Sequence, residues 1–225
     1  MIAVLVITDG RDDYLAECIA SMDQLHGPIS ERWMFDDTGN DAYRRALADQ
    51  YPEWTQINAG GRQGGAGAIR ESWKILREFS GADFVFHVEG DFTFPRPIDL
   101  SAMIRLLELR PDLVQVALRR QPWNEGEMAA GGIVEQHPDA YADMVGGDLS
   151  WLEHGLFWTT NPCLYRWDLL AFGWPDSRRG VYSETTFHQR LGEAGSPPNR
   201  YAYWGARDSG VWVQHIGYRR VGSGY

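Results

Sequence analysis

Along the first half of the chain the spacing of hydrophobic positions switches repeatedly between strand-like and helix-like. Ile2–Ile7 is an unbroken apolar run, the pattern of a strand buried on both faces. Asp12 to Leu25 carries apolar residues at helical spacing and follows the turn and capping residues of Thr8 to Asp13. Arg32–Phe35 reads as a short strand that ends at Asp36-Asp37-Thr38-Gly39-Asn40, and Asp41–Gln50 reads as a helix. Thr55–Asn58 reads as a third strand, followed by a glycine-rich loop from Gly60 to Gly67. Ala68–Phe79 places Ile69, Trp73, Leu76 and Phe79 on one side of a helix. A strand over Asp83–Val88, a helix over Leu100–Leu109 and a strand over Leu113–Leu118 complete the alternation. The expected fold is α/β, with a mostly parallel central sheet flanked by helices. Ligands of such sheets bind beyond the carboxyl ends of the strands.

The second half is less regular. Gln121 to Gly147, rich in Gly, Glu and Ala, reads as a loop with short helical pieces. Leu156–Thr160 and Cys163–Arg166 read as strand fragments, Ser183–Ala194 as a helix and Val211–Ile216 as a last strand. There is no internal repeat and no low-complexity tract, so we expect one domain over residues 1–225, with a change of character near residue 118.

Composition narrows the function classes. The formal net charge of −10 argues against a sequence-independent nucleic-acid binder, which needs a basic surface. Lys74 is the one lysine among 21 basic residues, a bias that points to a GC-rich genome such as that of an actinobacterium or one of its phages. The pairs Arg119-Arg120 and Arg178-Arg179 read as solvated surface. Cys18 and Cys163 make neither a zinc pattern nor a disulfide framework; Cys18 shares a helical face with Leu15, Ile19 and Met22 and reads as a buried thiol. No basic leader precedes the first strand and no apolar run spans a membrane, so the expected location is the cytoplasm.

The candidate chemistry sits at the predicted strand ends. Phe84-Val85-Phe86-His87-Val88 runs into Glu89-Gly90-Asp91, two carboxylates separated by one glycine. Buried acids are costly unless something positive meets them. Mg²⁺ or Mn²⁺ carried by a nucleotide diphosphate is a natural partner, because these ions prefer oxygen ligands and substrate phosphates. Thr8-Asp9-Gly10-Arg11 and Asp36-Asp37 end other strands, and a parallel sheet gathers such ends at one edge. The Gly60–Gly67 loop lacks the Gly-Lys-Ser/Thr ending of a Walker loop, and Gly65-Ala66-Gly67 lacks the strand context of a dinucleotide fingerprint.

With its Val-Ile-Thr strand end, Asp36-Asp37 pair, glycine-rich approach to a helix and short acidic motif, the chain resembles GT-A-fold glycosyltransferases of the family 2 type, including phage-encoded members. The resemblance covers most of the chain and is strongest from Ile2 to Phe94. It departs at the acidic motif, usually Asp-x-Asp and here Glu89-Gly90-Asp91. It implies a Mn²⁺- or Mg²⁺-dependent inverting enzyme. The sugar would move from a UDP- or GDP-linked donor to an acceptor hydroxyl. Residues 1–118 would bind the donor; residues 119–225 would bind the acceptor and supply a C-terminal tail.

The resemblance also suggests roles for single residues. Asp91 and His215 would hold the metal. Thr8, Asp9, Arg11, Asp36, Asp37, Gly65, Arg70 and Gly90 would frame the donor, with Arg219 and Arg220 closing over the diphosphate. Glu89 would touch the ribose or a metal-bound water. Glu184, in the first turn of its helix, would be the base. Trp123 and Asn161 would face the acceptor, which is left open among a virion protein, modified DNA, a glycan and a small molecule. Two other readings stay open: a sugar nucleotidyltransferase, for which the expected catalytic lysine is missing from the first loop, and a non-catalytic nucleotide-sugar-binding module.

Overall fold

The central strand, Ile2–Thr8, is buried along its whole length between parallel neighbours Ile29–Asp36 and Phe84–Glu89. Two covered faces explain its unbroken apolar run. Its alternate side chains feed two cores. Ile2, Val4 and Val6 pack with Leu15, Cys18, Leu47 and Met103 from helices on one face. Ala3, Leu5 and Ile7 pack with Ile69, Trp73 and Phe187 from helices on the other.

The computed structural model describes residues 1–176, 182–194 and 200–218. Among these, one sheet has the order Thr55–Ile57, Ile29–Asp36, Ile2–Thr8, Phe84–Glu89, Cys163–Arg166, Leu113–Ala117, Arg200–Trp204, Leu149–His154, Ala142–Gly146. All run in one direction except Cys163–Arg166 and Leu149–His154. The expected mostly parallel sheet with helices on both faces is therefore present.

Several elements differ from expectation. The first helix ends at Ser21, and a 3-10 turn, Met22–Gln24, leads into the short strand Leu25–His26. The third helix starts at Gly64, inside the expected loop, because the Asp37 carboxylate accepts from the backbone N–H of Gln63 (2.7 Å) and Gly64 (3.0 Å). That cap comes from another strand end, so local sequence does not reveal it. Leu156–Thr160 is not a strand. Of Val211–Ile216 only Gln214–His215 is extended, and it pairs with Phe92–Thr93 outside the main sheet.

Three strands of the main sheet escape the hydrophobic pattern. Leu149–His154 is buried yet carries Glu153, whose carboxylate takes Arg110 at 2.6 Å and Arg200 at 2.8 Å. Its hairpin partner Ala142–Gly146 is an edge strand within the expected loop, with Val145 exposed. Arg200–Trp204 fills the gap beside Leu113–Ala117. The Arg119-Arg120 pair also departs from a solvated surface: Arg119 is buried and donates to the carbonyls of Ala206 and Arg207, at 2.8 and 2.9 Å.

An aromatic cluster ties the later elements to the sheet. Trp73 lies 5.3 Å from Phe187, 5.4 Å from Trp174, 5.5 Å from Tyr165 and 6.5 Å from Trp158, mostly edge to face. It thereby fixes the helix Ser183–Ala194 against the helix Gly64–Phe79. Replacing Trp73 by Ala should cost about 3–5 kcal/mol. Urea unfolding followed by circular dichroism should show a lower midpoint at an unchanged slope; an unaltered midpoint would contradict this packing role.

Candidate active site at the strand ends

Register brings the acidic clusters together. Thr8 pairs with Asp36 and Ile7 with Glu89, so the residues that follow each strand meet at one edge. The N–H of Asp37 donates to the Thr8 carbonyl at 2.9 Å, and the N–H of Gly90 to the Ile7 carbonyl at 2.8 Å. A side chain at Gly90 would press on that carbonyl.

Arg11 joins two of the carboxylates. Its Nε donates to Asp9 Oδ1 at 2.8 Å and its Nη1 to Asp91 Oδ2 at 2.9 Å. His215 Nε2 stands 3.2 Å from the same Asp91 oxygen. Asp91 is buried, which by itself would raise its pKa; the hydrogen bond with His215 and the charge of Arg11 outweigh this and hold it below the usual carboxylate range. Asp9 Oδ2 and Asp91 Oδ1 are buried and accept no hydrogen bond.

His215 is clamped in place. Gln121 donates to its carbonyl at 2.7 Å and accepts from its N–H at 3.0 Å. Its ring stacks on Phe92 at 4.7 Å and meets Trp123 at 4.0 Å, while Trp123 stacks on Tyr218 at 5.3 Å. Ile216 donates its N–H to the Asp91 carbonyl at 2.8 Å. Gly217 then passes so close that a Cβ there would overlap Asp91 Oδ2. The absence of a side chain at 217 is what lets the segment lie over Asp91.

Other residues of the expected donor frame serve the fold directly. Asp36 Oδ1 accepts from the Thr38 N–H (2.8 Å) and hydroxyl (2.7 Å), with Arg44 3.6 Å from Oδ2. Asp37 caps the helix Gly64–Phe79, whose first turn contains Gly65. Both carboxylates are buried. Thr8 is buried and accepts from the Gly10 N–H at 3.4 Å. Arg70 pairs with Glu71 and Asp176. Arg219 and Arg220 lie outside the described residues.

Next to Asp91 opens a cavity of about 400 Å³. Glu89 and Glu184 both line it, as do Trp123, Asn161 and His215. Glu184 Oε1 accepts the Thr160 N–H at 2.5 Å, and Thr160 lies close enough to both glutamates to favour their charged forms. Burial raises the pKa of Glu184, opposed by the bonds from Thr160. Burial, then the nearby charges of Asp91 and Glu184, push Glu89 up to about 8.

Sequence reasoning missed what holds Thr160. Gln115, buried in the strand Leu113–Ala117, donates to the Thr159 carbonyl at 2.6 Å and accepts from its N–H at 3.3 Å. Pro162 accepts from the Leu118 N–H at 2.9 Å. The segment bearing Thr160 is thus pinned to the sheet. One sign was available: a glutamine inside the apolar run Leu113–Leu118 must find a polar partner.

Among the described residues, no three His, Cys, Asp or Glu side chains gather as a metal-binding group. Asp91 nevertheless fits a divalent cation bound mainly through substrate phosphates. Its Oδ1 is a buried anionic oxygen without a hydrogen bond, and hard cations of this kind accept one or two protein carboxylates plus phosphate and water.

The sequence matches no protein-family model and no curated protein sequence at a significant level. The fold does match solved structures. One is the mannosyltransferase PcManGT from Pyrobaculum calidifontis in complex with GDP-Man and Mn²⁺, with TM-score 0.59 and 16% identity over 97% of this chain and 57% of that one. Another is S. aureus TarS 1–349, with TM-score 0.60 and 14% identity over 96% of this chain and 60% of that one. Its complex with UDP gives 0.60 and 13%, over 95% and 59%. The chain thus spans less than two thirds of each of these proteins. At such identities the likeness speaks for the fold, an α/β sheet of the GT-A type.

Proposed function

We propose that this chain is a glycosyltransferase that moves a sugar from a nucleotide-diphosphate donor to an acceptor hydroxyl, with inversion. The observation that carries this reading is the Arg11–Asp91–His215 cluster at the strand ends, set beside a cavity that holds Glu184. The donor, UDP- or GDP-linked, lies across the strand ends, its diphosphate toward Asp91. PcManGT carries GDP-Man with Mn²⁺ and TarS carries UDP on the same kind of sheet. A divalent cation at Asp91 would offset the charge that builds on the diphosphate as it leaves.

The remaining steps belong to protein groups. Glu184 takes the proton of the acceptor hydroxyl as its oxygen attacks the anomeric carbon. The bond from that carbon to the diphosphate oxygen breaks, and the nucleoside diphosphate departs with the electron pair. Arg11 adds positive charge next to the leaving group. Gln115, through Thr159 and Thr160, holds Glu184 in line. The nucleotidyltransferase alternative is less well supported: Lys74, the only lysine, is exposed and pairs with Glu71 at 2.8 Å on a helix surface. In the described residues no helix is long and apolar enough to cross a membrane.

Thermal shift with UDP and GDP should give a Mn²⁺-dependent rise in Tm that Asp91→Asn and a chelator both abolish. A shift indifferent to both would reject the metal assignment.

Glu184→Gln should keep the nucleotide-induced shift and lower kcat by roughly 10²–10⁴-fold. Because Glu184 acts as its carboxylate and burial raises its pKa, wild-type kcat should fall as pH drops, with a midpoint above the usual carboxylate range. That acidic limb should disappear in Glu184→Gln; a limb that survives the substitution would remove Glu184 from the base role.

Gln115→Leu should loosen Thr160, lower kcat by on the order of 10–100-fold and leave nucleotide binding intact. Weaker bonds from Thr160 leave burial less opposed, so the acidic limb should move to higher pH. An unmoved limb would make Gln115 merely structural.

A further inference from the structure

The cavity beside Glu184 has features that the donor does not use. Its volume, about 400 Å³, falls at the small end of the range for small-molecule sites. Much of its wall is aromatic: Phe92, Trp123, Phe157, Trp158, Tyr182 and Tyr203. Two carboxylates, Glu89 and Glu184, reach it together, and Glu184 is held there by the Thr160 N–H.

The charge balance favours a neutral guest. Arg120 is the one arginine among the described lining residues, and it is already spent on Glu127, at 2.6 and 3.1 Å. Glu127 is fixed in turn by the Trp123 N–H and the Asn124 side-chain amide, both at 2.9 Å. His215, the remaining basic group on this wall, points Nε2 at Asp91. A phosphate entering here would meet two acids and no uncommitted cation among these residues. Ionised carboxylates only accept hydrogen bonds, and a carboxyl that keeps its proton both donates and accepts; either way they suit hydroxyl groups. Aromatic faces carry negative charge density, which suits the weakly positive C–H face of a sugar ring.

We propose that this cavity seats an uncharged sugar ring as acceptor, with Glu89 and Glu184 hydrogen-bonded to neighbouring hydroxyls and the aromatic wall against its C–H face. This rests on the glycosyltransferase reading and narrows it: the acceptor is a neutral carbohydrate, not a phosphorylated sugar or a nucleic acid. It also moves Glu89 from the donor side to the acceptor side of the reaction. The acidic motif is then divided between the two substrates, with Asp91 on the diphosphate and Glu89 on the acceptor.

Saturation-transfer NMR tests this on the intact chain. The probes are the methyl pyranosides of glucose, galactose and mannose, glucose 6-phosphate and a short oligonucleotide, each with UDP or GDP present. At least one neutral pyranoside should show transfer. Tyr182→Ala, at an exposed position, should weaken it about 3- to 10-fold. Glu89→Ala should weaken it further, while both variants keep the wild-type Tm shift with nucleotide. The proposal is overturned if no neutral pyranoside binds, if glucose 6-phosphate or the oligonucleotide binds more tightly, or if both variants leave binding unchanged. Nucleotide binding is read separately. Its loss would count against the glycosyltransferase reading, whereas variant-sensitive pyranoside binding would still support the carbohydrate site.

Discussion

A buried anion, the carboxylate of Asp91, is the constraint on which the strand-end geometry depends. Taking such a charge out of water is costly unless it is paired and hydrogen-bonded. Its partners come from far apart in the chain: Arg11 follows the first strand, and His215 arrives from the C-terminal region. Each is supported in turn. Asp9 orients Arg11, and Gln121, Phe92 and Trp123 orient His215. The bare backbone at Gly217 lets the covering segment approach. Removing the charge at 91 would leave Arg11 and His215 without the group that draws them together.

The second organising element is apolar. Trp73, Trp158, Trp174 and Phe187 lock the helix that begins with Ser183 and Glu184 against the sheet. Gln115 fixes the facing segment through Thr159. A carboxylate held from both sides keeps its geometry without relying on solvent. The same burial raises its pKa, so positioning and proton affinity share one cause. The two halves of the site therefore differ in kind: charge pairing on the Asp91 side, aromatic walls with paired acids on the other.

Much of the first half was legible because its signals are local. Ile2–Ile7 is apolar throughout, and Asn40 and Asp99 cap the helices that follow them. Convergence of Asp9, Asp36-Asp37 and Glu89-Asp91 followed from strand order alone. The Leu149–His154 strand was hidden because Glu153 looks solvated until Arg110 and Arg200 are seen beside it. Ala142–Gly146 was hidden because an edge strand buries little. Tertiary partners also give the site residues contacts that local sequence does not show. The Asp37 carboxylate, for example, also caps a helix from a different part of the chain. Glu89 and Asp91 read as an unequal pair, and their surroundings differ: Glu89 lines the cavity with Glu184, whereas Asp91 is tied to Arg11 and His215.

A crystal structure grown with UDP or GDP and Mn²⁺, with anomalous scattering recorded for manganese, addresses the central claim most directly. The predicted result is a manganese peak within bonding distance of Asp91 Oδ1, shared with the diphosphate, and the nucleotide laid across the ends of Ile2–Thr8 and Phe84–Glu89. A nucleotide bound elsewhere, or one seated there with no manganese against Asp91, would contradict it.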